Sequence, residues 1–131
     1  MWRSAKSWAV AAVAGLVMVG CGGGSDTPTP YGAIAFDASV PAALIVTNFI
    51  SQEKANAAAV TRCGSEGCVV VHEFSGHGSC AALATGGGSA IVWGTASGAT
   101  QAEAESGAVA SCTSKGGVSC RIPASIPGKC Q

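Results

Sequence analysis

From residue 31 onward, apolar and small residues arrive in short runs broken by glycine, serine and charge. Residues 31–36, 43–49, 68–74, 80–85, 90–96 and 120–124 read as strands, because their cores are β-branched or apolar and turn residues bound them. Gly86-Gly87-Gly88 and Ser75-Gly76-His77-Gly78 supply two of the turns. Between the second and third runs, and again between the fifth and sixth, the period changes. Ala55, Ala59 and Cys63 recur every fourth position, as do Ala104, Ala108 and Cys112, so each set lines one face of a helix. Small residues on that face let the helix approach a sheet closely. Ser51 and Thr100 stand where N-caps are expected, and Thr100 with Glu103 makes a capping-box pattern.

The two helical segments are related. Residues 52–63 align without a gap on residues 101–112, matching at Gln52/Gln101, Ala55/Ala104, Ala59/Ala108, Val60/Val109 and Cys63/Cys112. Alanine is abundant enough to match by chance, so Gln, Val and Cys carry most of the weight. With the flanking strands the unit is β-β-α-β, twice. This predicts an α+β fold, a small disulfide-rich domain of two half-repeats with pseudo-two-fold symmetry; strand order stays open.

Composition sharpens the energetic problem. The chain has 131 residues and is 48% hydrophobic, but 25 of those residues are alanine. Only 22 large apolar side chains follow position 21, a small core for one domain of this size, so covalent cross-links are expected to supplement burial. Seven basic residues balance seven acidic ones, which gives no electrostatic reason to expect a nucleic acid or an anionic surface as partner.

The first 20 residues read as a targeting segment. Arg3 and Lys6 precede an uncharged, mainly apolar run at 8–19 that is short for a membrane span. The run ends in Val17-Met18-Val19-Gly20-Cys21, which resembles a bacterial lipobox with Met18 in the position usually held by leucine. By that resemblance Cys21 is lipidated, with palmitate among the acyl chains, and becomes the new amino terminus. Residues 21–30 then form a flexible Gly/Ser/Thr/Pro tether, and residues 31–131 the folded domain. The expected location is the cell envelope, with the membrane engaged through the lipid on Cys21. In a didermic host Gly22, which is not aspartate, favours the outer membrane. Without Arg3 and Lys6 the mature chain carries 5 basic and 7 acidic residues, which makes nucleic acid a still poorer partner.

Six cysteines remain: Cys63, Cys68, Cys80, Cys112, Cys120 and Cys130. An even number in an exported small domain reads as three disulfides, whereas a zinc site would favour a tighter C-x2-C pair. Three cysteines fall in each half, so a symmetric scheme needs at least one bridge between equivalent positions, which leaves seven connectivities. Among these, Cys63–Cys68, Cys112–Cys120 and Cys80–Cys130 is favoured because the first two close short loops after helix ends; the other six remain open.

Tyr31-Gly-Ala-Ile-Ala-Phe, the alanine-rich helix ending at Cys63, Cys68-Val-Val-Val, Cys80-Ala-Ala-Leu-Ala and the later Cys112, Cys120 and Cys130 resemble a bacterial exported six-cysteine family, domain of unknown function 4189. The resemblance covers about residues 31–130. It implies export and offers no established general activity to carry over, and its shared cysteines and glycines map onto structural positions here.

Motifs that would carry chemistry are sparse. His72-Glu73-Phe74-Ser75-Gly76-His77 has one residue too many for H-E-x-x-H, and its glycines oppose the helix that motif needs. A looser metal site at His72, His77 and Glu73 is weighed against strand-end and turn histidines facing solvent, and the latter is preferred. No G-x-S-x-G elbow ties a serine to a base, and Gly86-Gly87-Gly88-Ser89 lacks the lysine of a phosphate loop. Trp93 and Tyr31 are expected to be partly buried; an exposed Trp93 would be a contact anchor. No catalytic residue, cofactor or metal is therefore assigned. The leading expectation is a non-enzymatic, lipid-anchored interaction or inhibitor-like module for a protein partner. It would use the loops at residues 64–67, 75–79 and 86–89, because preorganised loops lower the ordering cost of binding. The alternatives are a structural envelope lipoprotein without a discrete ligand and an envelope hydrolase using His72 or His77.

Overall fold

The computed structural model describes residues 27–131; the expected targeting segment at 1–20, Cys21 and the expected tether through residue 26 lie outside the described residues. The chain runs β1 (Tyr31–Asp37), β2 (Ala42–Phe49), α1 (Gln52–Arg62), β3 (Val69–Ser75), β4 (Cys80–Gly87), β5 (Val92–Gly98), α2 (Gln101–Ser114), β6 (Val118–Arg121) and β7 (Lys129–Cys130). This is the α+β doubled β-β-α-β unit, with β7 added at the end.

Strand order repeats as well. One antiparallel sheet has the order β2-β1-β3 and the other β5-β4-β6, so the first strand of each half is central in its sheet; β7 also pairs with β4. Helix α1 packs on the first sheet and α2 on the second, while the two sheets meet face to face, giving layers in the order α1, sheet, sheet, α2.

Side-chain alternation on the central strands builds three cores. Ala33 and Ala35 of β1 face Ala55 and Ala59 of α1. Ala82 and Ala84 of β4 face Ala104, Ala108 and Cys112 of α2. The intervening Ile34 and Phe36 meet Ala81, Leu83, Ile45 and Phe74 between the sheets. The abundant alanines are thus helix–sheet spacers, and the large side chains concentrate in the middle layer. Across that layer Phe36 meets Trp93 edge-on, with centroids 5.7 Å apart at 64°.

Both N-caps form: Ser51 Oγ accepts from Lys54 N–H at 3.2 Å and Thr100 Oγ1 from Glu103 N–H at 3.1 Å. The capping box differs in one bond, because Glu103 reaches back to Ala99 N–H at 3.0 Å instead of that of Thr100. Helix α2 continues two residues beyond Cys112, until Gly116 takes a φ of 92° and Gly117 N–H bonds back to Cys112 O. Strand β5 begins two residues later than expected, since Ala90 and Ile91 belong to the turn. Strand β6 occupies 118–121 and not 120–124, because Pro123 has no N–H for a ladder.

Three disulfides join Cys63–Cys68, Cys112–Cys120 and Cys80–Cys130. The first two close equivalent loops after α1 and α2. The third ties β7 to the start of β4, where the described residues of the first half have no counterpart. No helix among the described residues is long and apolar enough to cross a membrane.

Candidate functional site

Strand pairing sorts the loops into two poles. Phe36 and Trp93 lie towards the end of β1 and the start of β5, so the β1–β2, α1–β3 and β4–β5 turns gather at one pole. The β3–β4 turn and the β5–α2 junction gather at the other.

The first pole holds a groove of about 780 Å³ lined by Pro41, Gly86, Gly87, Ile91, Val118 and Arg121, among others. Its walls come from three connections: the β1–β2 turn, the end of β4 with its turn, and β6. Val118 is 64% exposed and the neighbouring Val40 56%, so apolar surface remains accessible here. Arg121 supplies the groove's one cationic side chain. The Cys112–Cys120 bridge lies beneath: a Cβ on Gly86 would come within 2.6 Å of Cys120 Sγ. Beside the groove Trp93 is half-buried, and the Lys115 ammonium sits 4.4 Å from its ring centroid. Trp93 is consequently a core residue with a covered face.

Asp37 joins two loops of this pole. Only 7% exposed, it accepts from Ser39 Oγ at 2.6 Å and Ser39 N–H at 2.9 Å, and also from the Ser65 hydroxyl. Hydrogen bonds from the Ser39 hydroxyl first, then the Ser65 hydroxyl and the Ser39 amide, hold its carboxyl below the usual aspartate range, against a smaller opposing effect of burial. The α1–β3 loop can approach so closely because residue 67 is glycine; a Cβ there would lie 2.5 Å from Asp37 Oδ2.

Of the three loops expected from the sequence to carry contacts, residues 86–88 line this groove, and Gly64 to Glu66 edge a second concavity with Val60 and Thr61. The third, residues 75–79, lies at the opposite pole around a concavity of about 420 Å³ that also includes Ser97, Gly98 and Ala99.

The histidine motif is dispersed by strand alternation. His72 projects between the sheets, where its Nε2 lies 2.5 Å from Ser97 Oγ and its Nδ1 3.2 Å from Thr95 Oγ1. Glu73 turns the other way and accepts from Asn56 of α1 at 3.1 Å. His77 is exposed in the turn, with Nε2 3.5 Å from Thr27 O. Partial burial lowers the His72 pKa, and the charge of Glu73 offsets part of that effect. Among the described residues no group of three or more His, Cys, Asp or Glu side chains could hold a metal ion. Thr95 and Ser97 were not marked by the sequence reading. The signal was the alternation Trp93-x-Thr95-x-Ser97, which puts all three on the inter-sheet face, the same face as Leu83 and Ala81 of β4.

Gln131 joins three segments at this pole. Gln131 accepts from Asn48 N–H at 2.7 Å, donates through its side chain to Phe74 O at 3.2 Å and donates its own N–H to Ser79 O at 2.8 Å. Pro30, the last residue assigned to the tether, is buried and its carbonyl accepts from Gly76 N–H at 3.0 Å.

Residues 31–126 match the model of a family described as Domain of unknown function (DUF4189). No curated protein and no solved structure matches the chain.

Proposed function

The chain belongs to the DUF4189 family, whose description carries no activity, and from its own geometry we propose that it is an envelope-anchored binding module for a protein partner. The groove between the β1–β2 turn, the end of β4 and β6 carries this reading. It combines accessible apolar side chains at Ile91 and Val118 with one cation at Arg121, and the Cys112–Cys120 disulfide lies beneath Gly86 in its wall. The β6 wall, cross-linked to the end of α2, loses little conformational freedom when a partner docks, so more of its contact energy appears as affinity. An apolar centre with a charged rim is also the usual anatomy of a protein-binding surface. Lipid on Cys21 would hold the domain at the envelope membrane, with the Gly/Ser/Thr/Pro segment giving it reach.

The test is capture by the full chain, oxidised and purified in detergent, from envelope and secreted fractions of the source cell, followed by hydrogen-exchange footprinting of the complex. A saturable partner that protects residues 38–41, 86–91 and 118–121 is the expected result. Absence of any saturable partner would favour a structural envelope component.

A further inference from the structure

Ser97, His72 and Thr95 form a chain of polar side chains across the open edge where β3 of one sheet faces β5 of the other. We propose that Ser97 is a nucleophile and His72 its general base, forming an acyl-transfer dyad at the pole opposite the groove. Three observations carry it. First, Ser97 Oγ lies 2.5 Å from His72 Nε2, within reach for proton transfer. Second, Thr95 Oγ1 meets the other ring nitrogen at 3.2 Å. When that hydroxyl accepts from Nδ1–H, the tautomer is fixed with Nε2 free to take the serine proton, the part an orienting group plays in nucleophile–base pairs. Third, Ser97 is exposed and lines the concavity of about 420 Å³ with Ser75, His77, Ser79, Gly98 and Ala99, so an acyl group can reach the hydroxyl. Partial burial lowers the His72 pKa, which favours the neutral form a base requires.

The bond changes are those of ester cleavage. Ser97 Oγ adds to the carbonyl carbon as its proton passes to His72 Nε2. The leaving alcohol departs with that proton, and water, deprotonated by His72, releases the acid and regenerates Ser97. The concavity is open and small, which fits short-chain activated acyl esters. This site is independent of the binding groove and requires no partner.

A fluorophosphonate probe tests the pair on the full oxidised chain. Attack by Ser97 Oγ forms a P–O bond and expels fluoride, while the serine proton leaves through His72. Peptide mapping by mass spectrometry is expected to find the adduct on Ser97 and to lose it in Ser97→Ala. Labelling of His72→Gln should slow about 100-fold or more, the general-base contribution. Labelling of the native protein should fall as pH drops and His72 protonates, with a midpoint below the ordinary histidine value. Thermal melts accompany each variant; exposed Ser97 can lose its hydroxyl without disturbing the core, so the Ser97 result stands even if His72→Gln melts early. No adduct on the native protein, an adduct on another serine, or equal labelling of a folded His72→Gln would overturn the proposal. A role confined to holding the sheets together would leave Ser97 unlabelled.

Discussion

Cys80 of β4 and Cys130 of β7 face each other as register partners, Cα atoms 3.9 Å apart, and their disulfide closes a separation of 50 residues. Cys63–Cys68 closes a separation of only 5. In the chain-entropy account the longer loop contributes about 4 kcal/mol and the shorter about 2 kcal/mol. Replacing both Cys80 and Cys130 by alanine should therefore lower the urea midpoint about twice as far as replacing Cys63 and Cys68. Equal losses would show that native-state packing, not loop closure, dominates.

Gly94 sets how closely α2 lies on its sheet. A Cβ there would come 2.3 Å from Cys112 N and 2.7 Å from Ala108 O, both backbone atoms that cannot swing aside. Gly94→Ala should destabilise by about 3 kcal/mol, the upper part of the usual overpacking range. For a domain of this size that corresponds to a fall in Tm of about 10 °C or more, read by calorimetry. An unchanged Tm would mean that the helix can move outward at no cost.

Acid sensitivity follows from Asp37 and His72. Asp37 has a lowered folded pKa, so its hydrogen bonds to Ser39 and Ser65 stabilise the fold above the ordinary aspartate value and cease to do so as pH falls through the folded one. His72 is also lowered; its neutral form is favoured in the fold, and stability declines as pH falls below about 6.5, where the unfolded chain takes the proton first. Stability should thus decline in two steps on acidification. His72→Gln is expected to remove the upper step and Asp37→Asn the lower one, each followed by urea titration across pH 3–8. Persistence of the upper step in His72→Gln would assign it to another group.

Lipid anchoring is tested at Cys21. The native chain should sediment with membranes and incorporate palmitate, and Cys21→Ser should move to the soluble fraction. Membrane retention of Cys21→Ser would remove the lipid from the account.

Much of the fold was legible because its signals are local. The alternation Ala33-Ile34-Ala35 marks a strand buried on both faces, the four-residue spacing of Ala55, Ala59 and Cys63 marks a helix face, and the repeat at Ala104, Ala108 and Cys112 doubles the unit. The favoured disulfide pairing is the one observed, and for Cys63–Cys68 and Cys112–Cys120 the short loops after the helices explain it. The symmetry premise does not explain Cys80–Cys130, because both of those cysteines lie in the second half, on β4 and β7. Strand β7 was not legible, because two residues acquire strand character only by pairing with Cys80 and Ala81. Ser97 and His72 were not paired for a similar reason. They sit 25 positions apart on edge strands of different sheets, and only face-to-face packing of the sheets joins them. The groove was half visible: the glycines at 86–88 marked a turn, but Pro41 and Val118 reach it from distant segments.

The binding reading rests most directly on the apolar groove, and a paired substitution there tests it: Ile91→Asp with Val118→Asp, both at exposed positions that the core does not need. The measurement is the affinity of the captured partner for native and substituted full chains, with matching melting curves as control. The account predicts a loss of about 100-fold or more, the scale of hot-spot truncation at an interface, while Ser97→Ala at the far pole binds as the native chain does. Equal affinity of the native and doubly substituted proteins would contradict it.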